Sequence, residues 1–501
     1  DDLQEIPDGS RDSATRKFTK QITEDDLYRP IVSDEELSSF KISKVHQQVQ
    51  HYRIYSTNSF SLGTGRLAIN LAFQKSLRRE FSHPEADVPG LFLKLNTYSY
   101  DAKYYFHETN GLSVTTGING LYQDNKVDDG TEFIIPSYQQ FDIGPFFFIK
   151  KTIGKLEMAG GLRYDVRNFN NDDLYTKQDS STGFDKPVYG TASAGADNPF
   201  SKYIHTFSGV SGSAGLSYRI NDAFSVKANI GRGFRAPNIS EISSNGVHPG
   251  TNAYQIGSIN FKPEFNLQED LGMTYSSQHI TINAEIFNND IKNYIYNQKL
   301  LNSQGQDSVI VPGNQTFKFQ AAKANLYGGE LSIDIHPHPL DWLHFENSLS
   351  VVYGVNKGIS GQPKLSDSAK YLPFIPPLHT FSDLRANINK IGHHFANAFI
   401  KVQMEYYANQ DRAYLENDTE TPTPGYQLFN AGVGTDLVNK KGITIATFNL
   451  IANNIFNVAY QSHLNRLKYF EEYSGNYTGH NGIYNMGSNV GFKINVPLRF
   501  N

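Results

Sequence analysis

Apolar and polar residues alternate with a period of two along most of the chain. In the segment 488–500 the apolar positions are Phe492, Ile494, Val496, Leu498 and Phe500. Successive side chains of a β-strand point to opposite faces of the sheet, so this period is typical of strands with one apolar face. Alternation together with aromatic and β-branched content predicts seventeen strands, at 40–56, 60–79, 91–107, 112–124, 141–151, 155–169, 205–219, 222–234, 266–277, 279–297, 318–336, 341–355, 379–390, 394–408, 426–438, 442–456 and 488–500. No amphipathic helix of useful length is predicted.

The connections between these strands alternate strictly between short turns and long polar loops. Turns such as 57–59 and 439–441 are followed by loops such as 170–204 and 457–487. Outer-membrane barrels have short periplasmic turns and long extracellular loops, whereas the connections of sandwiches and propellers do not alternate so regularly. The pattern therefore predicts an all-β fold, a transmembrane antiparallel β-barrel with its long loops outside.

Composition is consistent with such a barrel and excludes several other classes. The hydrophobic fraction is 39% with 30 Tyr and 34 Phe, and the mean hydropathy is −0.47. No run of about 18 apolar residues exists, so a helical membrane protein is excluded, while the polar lumen of a barrel makes its strands hydrophilic on average. The net charge of −5 argues against a nucleic-acid partner. The absence of cysteine excludes disulfides and thiolate chemistry. No signal-peptide core is present at the N-terminus.

The spacing of Gly231, Gly233 and Ala236 matches the glycine fingerprint of dinucleotide-binding loops. That site needs a helix directly after the loop, whose N-terminal amides meet the pyrophosphate. Here Pro237 and a Ser/Asn/Gly-rich stretch follow, and we expect no helix there. The nucleotide interpretation is therefore rejected. Enzyme motifs such as G-x-S-x-G, H-E-x-x-H and the Walker loop are also absent, so we expect neither catalysis nor a cofactor.

Four motifs carry a resemblance to a known family: "GFRAPNISEISSNGVHPGT" (233–251), "NFKPEFNLQEDLG" (260–272), "YGGELSI" (327–333) and "NLIANNIFNVAYQSHLNRLKY" (449–469). In this order and spacing they resemble the TonB-dependent outer-membrane receptors, more narrowly the siderophore-receptor-like proteins of the Bacteroidetes. The resemblance implies a barrel of 22 strands closed around a plug domain. It also implies an outer-membrane location in a Gram-negative bacterium.

Seventeen strands are an odd number, whereas bacterial single-chain barrels usually have an even one. The resemblance assigns residues 40–501 to the C-terminal part of the barrel and residues 1–39 to an extracellular loop. The plug and about five first strands are then expected on another segment of the same precursor or on a companion chain. We also expect a local irregularity at Pro497, because proline cannot donate a ladder hydrogen bond.

Three charged residues are predicted to contact the plug from the lumen. In the family the Glu of the K-P-E motif and the Glu of the G-G-E motif pair with plug arginines, and these correspond to Glu264 and Glu330 here. Arg235, in the strand rim before the external loop, is placed with them. A desolvated carboxylate needs a cationic partner, whereas a solvated lumen acid does not, and both alternatives remain open.

Ligand contacts are expected from the long external loops. Aromatic residues with polar tips suit adaptable contacts, and they cluster in the last loop: Tyr469, Phe470, Tyr473, Tyr477 and Tyr484. The same residues would also serve loop packing or the interfacial girdle. His336, His338, His393 and His394 fall at the short-turn end without the ligand spacing of known metal sites, so no metal site is expected there.

The resemblance implies active import of a scarce small-molecule ligand, foremost a ferric siderophore or another iron chelate. External loops would capture the ligand, and the TonB complex would drive plug rearrangement. The partners are therefore the plug, TonB, the ligand and the lipid bilayer. The alternatives are a passive porin and a surface adhesin.

Overall fold

The computed structural model describes residues 12, 17–20, 22–23, 29–248, 253–312, 314–359, 361, 364–416, 420–469 and 484–498. Strands dominate these residues. Their bounds are β1 (His46–Leu62), β2 (Gly65–Phe81), β3 (Leu91–Tyr105), β4 (Leu112–Lys126), β5 (Tyr138–Ile153), β6 (Leu156–Asn171), β7 (Leu174–Gln178), β8 (Asp185–Val188), β9 (Asp197–Phe200), β10 (Tyr203–Arg219), β11 (Phe224–Arg235), β12 (Asn245–His248), β13 (Ala253–Ile256), β14 (Glu264–Ser276), β15 (Ile280–Lys299), β16 (Gln315–Ile335), β17 (Leu343–Gly358), β18 (His379–Ile391), β19 (Phe395–Tyr407), β20 (Tyr426–Val438), β21 (Thr444–Asn453) and β22 (Asn489–Asn495).

Helices are short and lie outside the strands. In the described residues the α-helices are α1 (Asp34–Leu37) and α2 (Ile239–Ser243), with 3-10 turns at Gly190–Ser193, Asp367–Ala369 and Arg466–Tyr469. No helix in this part of the chain is long and apolar enough to cross a bilayer.

Each long strand pairs antiparallel with the next long strand along the chain. The order runs from β1 to β6, through β10, β11 and β14, and on to β22. Short strands lie in the long loops: β7 pairs with β8 and β9 in a small separate sheet. In the loop between β11 and β14, β12 pairs with β13, and β13 pairs parallel with the start of β16. With β12 and β13 the sheet of the described residues has nineteen strands, and its seventeen long antiparallel strands confirm the prediction.

The boundaries of the first two predicted strands and of the last one were wrong. The first turn is at residues 63–64 and not at 57–59, because Gly63 adopts the left-handed backbone (φ 61°) that a tight turn needs. The polar residues mistaken for a turn lie inside β1, where the Asn58 side chain donates to Ser56 Oγ at 2.9 Å. At the other end, β22 stops at Asn495. Pro497 therefore lies beyond the described pairing, and no bulge forms within β22.

The two faces of the sheet differ in chemistry. On one face Arg167 binds Asp142 of the neighbouring strand through two hydrogen bonds of 2.9 and 2.7 Å. On the other face apolar side chains are 48–66% exposed, among them Leu162, Ile230, Leu271 and Ile286. Barrels in membranes present an apolar outer band and a polar interior, so we call the polar face the lumen face.

Tightly buried apolar residues concentrate at the long-loop end of the sheet. The largest cluster packs the loops around β5 and β6 and consists of Leu91, Val127, Ile134, Ile135, Tyr138, Phe169, Leu174 and Phe200. Burial of such side chains contributes about 1.5–3 kcal/mol each, so these loops form a packed layer on top of the sheet. The long loops thus provide a defined surface for recognition.

β1 and β22 are the most exposed strands of the sheet. All but two of the seventeen residues of β1 are exposed, against three of seventeen in its neighbour β2. Among the described residues, no register joins β1 to β22. Both strands therefore have one side without a described partner.

Gly120 of β4 lies at a close approach of β3, β4 and β5. Tyr100 of β3 lies opposite Gly120 and its hydroxyl donates to the Asp142 carbonyl at 3.0 Å. A Cβ at position 120 would overlap that carbonyl oxygen. We expect Gly120→Ala to destabilise the barrel by about 1–3 kcal/mol, the usual cost of overpacking. The measurement is the temperature at which the heat-modifiable electrophoretic band converts.

Gly231→Ala is the matched control, because a Cβ there would lie 3.7 Å from its nearest neighbour, an ordinary contact. Equal conversion temperatures for Gly120→Ala and Gly231→Ala would contradict the close packing of β3, β4 and β5.

Candidate functional site

Arg235 joins the rim of the lumen to the external loop between β11 and β14. It is the last residue of β11 and lies opposite Glu264, the first residue of β14. Its Nε and Nη2 donate to the two Glu264 carboxylate oxygens at 2.6 and 2.5 Å, and its Nη1 donates to Glu241 Oε2 at 2.9 Å. The Ile295 amide also donates to Glu264 Oε1, at 2.6 Å. Glu264 therefore already has a cationic partner in its own chain, which the sequence did not reveal.

A one-turn helix follows the glycine motif, contrary to expectation. Asn238 accepts a hydrogen bond from the Glu241 amide at 3.0 Å, while Glu241 Oε2 accepts from the Asn238 amide at 2.8 Å. This reciprocal capping box satisfies the first free amides of α2. The signal was present in the sequence as Asn238 with Glu241 three residues later. The amides of Asn238 and Glu241 are therefore capped internally and are not open to a phosphate.

Glu330 lies on the lumen face next to other carboxylates. It is exposed and stands directly opposite Glu285 of β15, while Glu346 lies further along the same face of β17, opposite Asp334. Among the described residues none of these three carboxylates has an ion-pair or hydrogen-bond partner. Like charges directly opposite each other are unfavourable, so this patch of the wall favours a cationic occupant of the lumen.

The structure describes only two of the five aromatic residues predicted to bind the ligand. Tyr484 is 41% exposed at the end of the last loop. The backbone of Tyr469 belongs to the 3-10 turn Arg466–Tyr469. Phe470, Tyr473 and Tyr477 lie outside the described residues.

A buried polar cluster holds three external loops together. The Lys468 ammonium donates to Thr423 Oγ1 at 2.9 Å, Thr423 Oγ1 lies 2.9 Å from His463 Nδ1, and His463 Nε2 lies 3.2 Å from Glu420 Oε1. The ammonium can only donate and the carboxylate can only accept, so Lys468 donates to Thr423 at one end of the cluster and His463 Nε2–H donates to Glu420 at the other. Burial lowers the pKa of Lys468 to about 8, and the nearby Glu420 opposes this shift.

Glu420 also fixes a strained aromatic residue in the loop between β17 and β18. The Phe374 amide donates to Glu420 Oε1 at 2.6 Å, and the Phe374 backbone has φ 60°, a region that side chains rarely adopt. The Arg466 guanidinium lies 5.2 Å from the centre of the Phe374 ring. Such strain is held by surrounding contacts and is often found in ligand clamps.

Four rings in contact, three of them stacked, form an aromatic column at the loop end of the lumen face. His379, Tyr407, Tyr426 and Tyr460 have successive centroid distances of 4.2, 4.6 and 4.5 Å. The first three lie opposite one another at the loop ends of β18, β19 and β20. The Arg412 guanidinium lies 4.6 Å from the ring centre of Tyr353, which the register places on the opposite face of the sheet. Sequence reasoning missed this column, although each strand residue stands at the loop end of a predicted strand.

A second cluster lies at the opposite, short-turn end. Asp334, His336 and His344 bring potential ligand atoms within 4.8 Å of one another. The sequence pattern did not predict this cluster because His344 belongs to the next strand, and only the register of β16 and β17 brings it to His336.

Comparison with known proteins assigns the fold to a family. The family model described as "TonB dependent receptor-like, beta-barrel" matches residues 8–458. A curated relative, the TonB-dependent heme receptor A of Haemophilus influenzae (strain 86-028NP), is 23% identical over 359 residues, covering 67% of this chain and 44% of the relative. The chain thus spans less than half the length of that receptor.

Solved structures give the same fold. The copper transporter OprC matches with a TM-score of 0.64 at 14% identity, covering 90% of this chain and 65% of that one. The FrpB iron transporter of Neisseria meningitidis (F3-3 variant) matches with a TM-score of 0.61 at 14% identity, covering 90% and 63%. The ferric yersiniabactin uptake receptor FyuA of Yersinia pestis has a TM-score of 0.57 at 13% identity, covering 90% and 61%. The family match over residues 8–458, together with the antiparallel sheet and its layer of long loops, establishes that this chain belongs to the TonB-dependent receptor family.

Proposed function

We propose that this chain forms the wall and ligand-binding loops of an outer-membrane receptor that imports an iron chelate with energy from the TonB complex. The observation that carries the proposal is the aromatic column at the loop end of the lumen face. The column lies where a ligand entering from outside would first meet the barrel interior. The narrower placement among Bacteroidetes siderophore receptors rests on the quoted sequence motifs.

The chemistry of the loop end suits a flat or aromatic anionic ligand. Ferric catecholates and haem combine aromatic rings with negative charge. The column supplies ring faces, and the exposed Arg466 supplies a cation beside an aromatic ring. Similar proteins include receptors or transporters for heme, iron and ferric yersiniabactin. An iron chelate satisfies all of these observations.

The acidic patch of the lumen wall supports a plug partner. Glu330 and its cross-strand neighbour Glu285, with Glu346 further along the same face, present carboxylates without a described cation. Arginines on a plug domain would compensate them at short range. Glu264 is bound by Arg235, so we infer that Glu264 and Arg235 contact the plug as an ion pair that also fixes the loop. Glu330 then contributes the charge that the plug neutralises.

The exposed edges of the sheet support additional strands. A bilayer core offers no hydrogen bonds to an unpaired strand, and each unsatisfied backbone group costs several kcal/mol. We propose that β1 and β22 pair with strands of the same receptor outside those described. Residues 1–39 would then form an external loop leading into β1.

Ligand binding tests the role of the aromatic column. Tyr426→Leu in the full receptor is expected to weaken binding of a ferric catecholate or haem by about 3–10-fold, the value of one aromatic contact. Quenching of intrinsic fluorescence during titration gives the affinity. Tyr98→Leu is the matched control, because Tyr98 stacks on Phe73 at 4.9 Å on the apolar outer face.

Three results would contradict the proposal. Import of an oligosaccharide but of no iron chelate would show that the ligand class is wrong. High single-channel conductance of the full receptor without ligand would indicate a passive porin. Equal effects of Tyr426→Leu and Tyr98→Leu would remove the column from the binding site.

Charge removal tests the plug contact. Glu330→Gln keeps the side-chain shape and removes one lumen charge, so we expect a looser plug and greater permeability of cells to large antibiotics. The heat-modifiable mobility of the barrel should not change. Glu264→Gln should also raise permeability, and should in addition increase proteolysis of the loop between β11 and β14, because it weakens the bond to Arg235.

Glu157→Gln is the control, since Glu157 forms an exposed pair with Lys150 near a short turn. Unchanged permeability and unchanged hydrogen exchange of the plug in Glu330→Gln would exclude the plug contact at this position.

A further inference from the structure

The cluster at the short-turn end of the lumen face is built by adjacent strands. Asp334 lies near the end of β16 and His336 directly after it, while His344 is the second residue of β17. The register that pairs Asp334 with Glu346 and Ile335 with Phe345 places His336 opposite His344. The His336 amide donates to the His279 carbonyl at 2.8 Å, which fixes the backbone from the other side. The cluster is therefore held by three neighbouring strands.

The hydrogen bonds of His336 determine which of its nitrogens is free. Its Nε2 lies 2.8 Å from Asp334 Oδ2, and a carboxylate can only accept, so Nε2 carries the proton. Nδ1 of His336 then presents a lone pair. That lone pair accepts a hydrogen bond from the Nδ1–H of His344 at 2.9 Å, with the two rings nearly perpendicular. Two imidazole nitrogens thus converge on one point.

The same arrangement occurs around metal ions in proteins. A ligating histidine usually donates its other ring N–H to a carboxylate, which orients the ring and makes the ligand more basic. Asp334 occupies this position relative to His336. Its second oxygen, Oδ1, is buried without a hydrogen-bond partner among the described residues, so the carboxylate is not engaged elsewhere through that atom.

The cluster is accessible from one side. A cleft of about 550 Å³ borders His344 and is also lined by Trp342, Arg385 and Asn387. The Arg385 guanidinium is turned to Asn387 Oδ1, at 2.8 Å, and to the Phe399 ring, at 4.2 Å. An ion at the two imidazoles could therefore complete its coordination with water from the cleft.

We propose that Asp334, His336 and His344 form a binding site for a divalent transition-metal ion at the short-turn end of the barrel. His336 and His344 bind the ion through Nδ1, and Asp334 orients His336. The ion replaces the proton that the two Nδ1 atoms share, and His344 then carries its proton on Nε2. Imidazole ligands suit Zn²⁺, Ni²⁺ and Cu²⁺. With bonds of about 2.0–2.1 Å to each nitrogen, the two Nδ1 atoms need to separate by only a few tenths of an ångström from their present spacing. The site is independent of the ligand that the external loops bind.

Metal titration of the full receptor tests the site. The receptor is purified with a histidine-free tag, and Zn²⁺, Ni²⁺ or Cu²⁺ is added in a calorimeter. We expect one ion per chain and a loss of affinity of at least about tenfold in His336→Ala and in His344→Ala. Asp334→Asn should weaken binding by about 10–100-fold, as is usual for the partner of a ligating histidine. In the Cu²⁺ complex, electron paramagnetic resonance should show two imidazole nitrogens, and one in each histidine variant.

The double variant His393→Ala/His394→Ala is the matched control, because it removes two exposed histidines of another short turn. It should leave the one-to-one binding unchanged. Heat-modifiable mobility shows that each variant keeps a folded barrel, and His336→Gln and His344→Gln replace any alanine variant that does not. The proposal is overturned by a receptor without saturable binding, by binding that survives loss of both His336 and His344, or by binding that depends on His393 and His394.

Discussion

The main-chain hydrogen-bond ladder between consecutive strands is the constraint on which the rest of this structure depends. A bilayer supplies no substitute for a broken ladder, so every membrane-spanning residue must be in register with a neighbour. Side chains then have only two possible directions, and the register decides which of them meet. The pairing of Arg235 with Glu264 and the convergence of His336 and His344 both follow directly from this register. The chemistry of the wall is in this sense a product of strand alignment.

The same ladder separates the molecule into two chemically different ends. Long loops at one end carry buried apolar clusters, the Lys468–Glu420 chain of hydrogen bonds and the aromatic column. Short turns at the other end carry little buried surface, but bring polar residues of adjacent strands together. A ligand bound by the external loops and an ion bound at the short-turn end would therefore occupy two separate sites on the same sheet. This division allows the loops to vary without altering the turn end.

The strands could be predicted from the sequence because a period of two is a local property. The first turn was misplaced because the polar Thr-Asn-Ser stretch at 57–59 resembles a turn. The left-handed backbone conformation of Gly63 fixes the actual position of the turn. The helix α2 was missed although Asn238 and Glu241 carry the signature of a capping box. Side-chain partners on different strands could not be predicted, because they are far apart in the sequence. His336 and His344 are 8 positions apart, and Arg235 and Glu264 are 29 positions apart. Only the register of the folded sheet makes these residues neighbours.

The parallel pairing of β13 with β16 has a mechanical consequence. The loop after β11 passes over β14 and β15 and is joined through Ala253–Ile256 to residues 315–318, at the loop end of β16. It is also tied to its own base by Arg235 and Glu241. A force applied to this loop is therefore transmitted across three strands to the loop between β15 and β16. The two loops are therefore mechanically coupled at the mouth of the barrel. Displacement of either loop must break the hydrogen bonds between β13 and β16 or move the other loop.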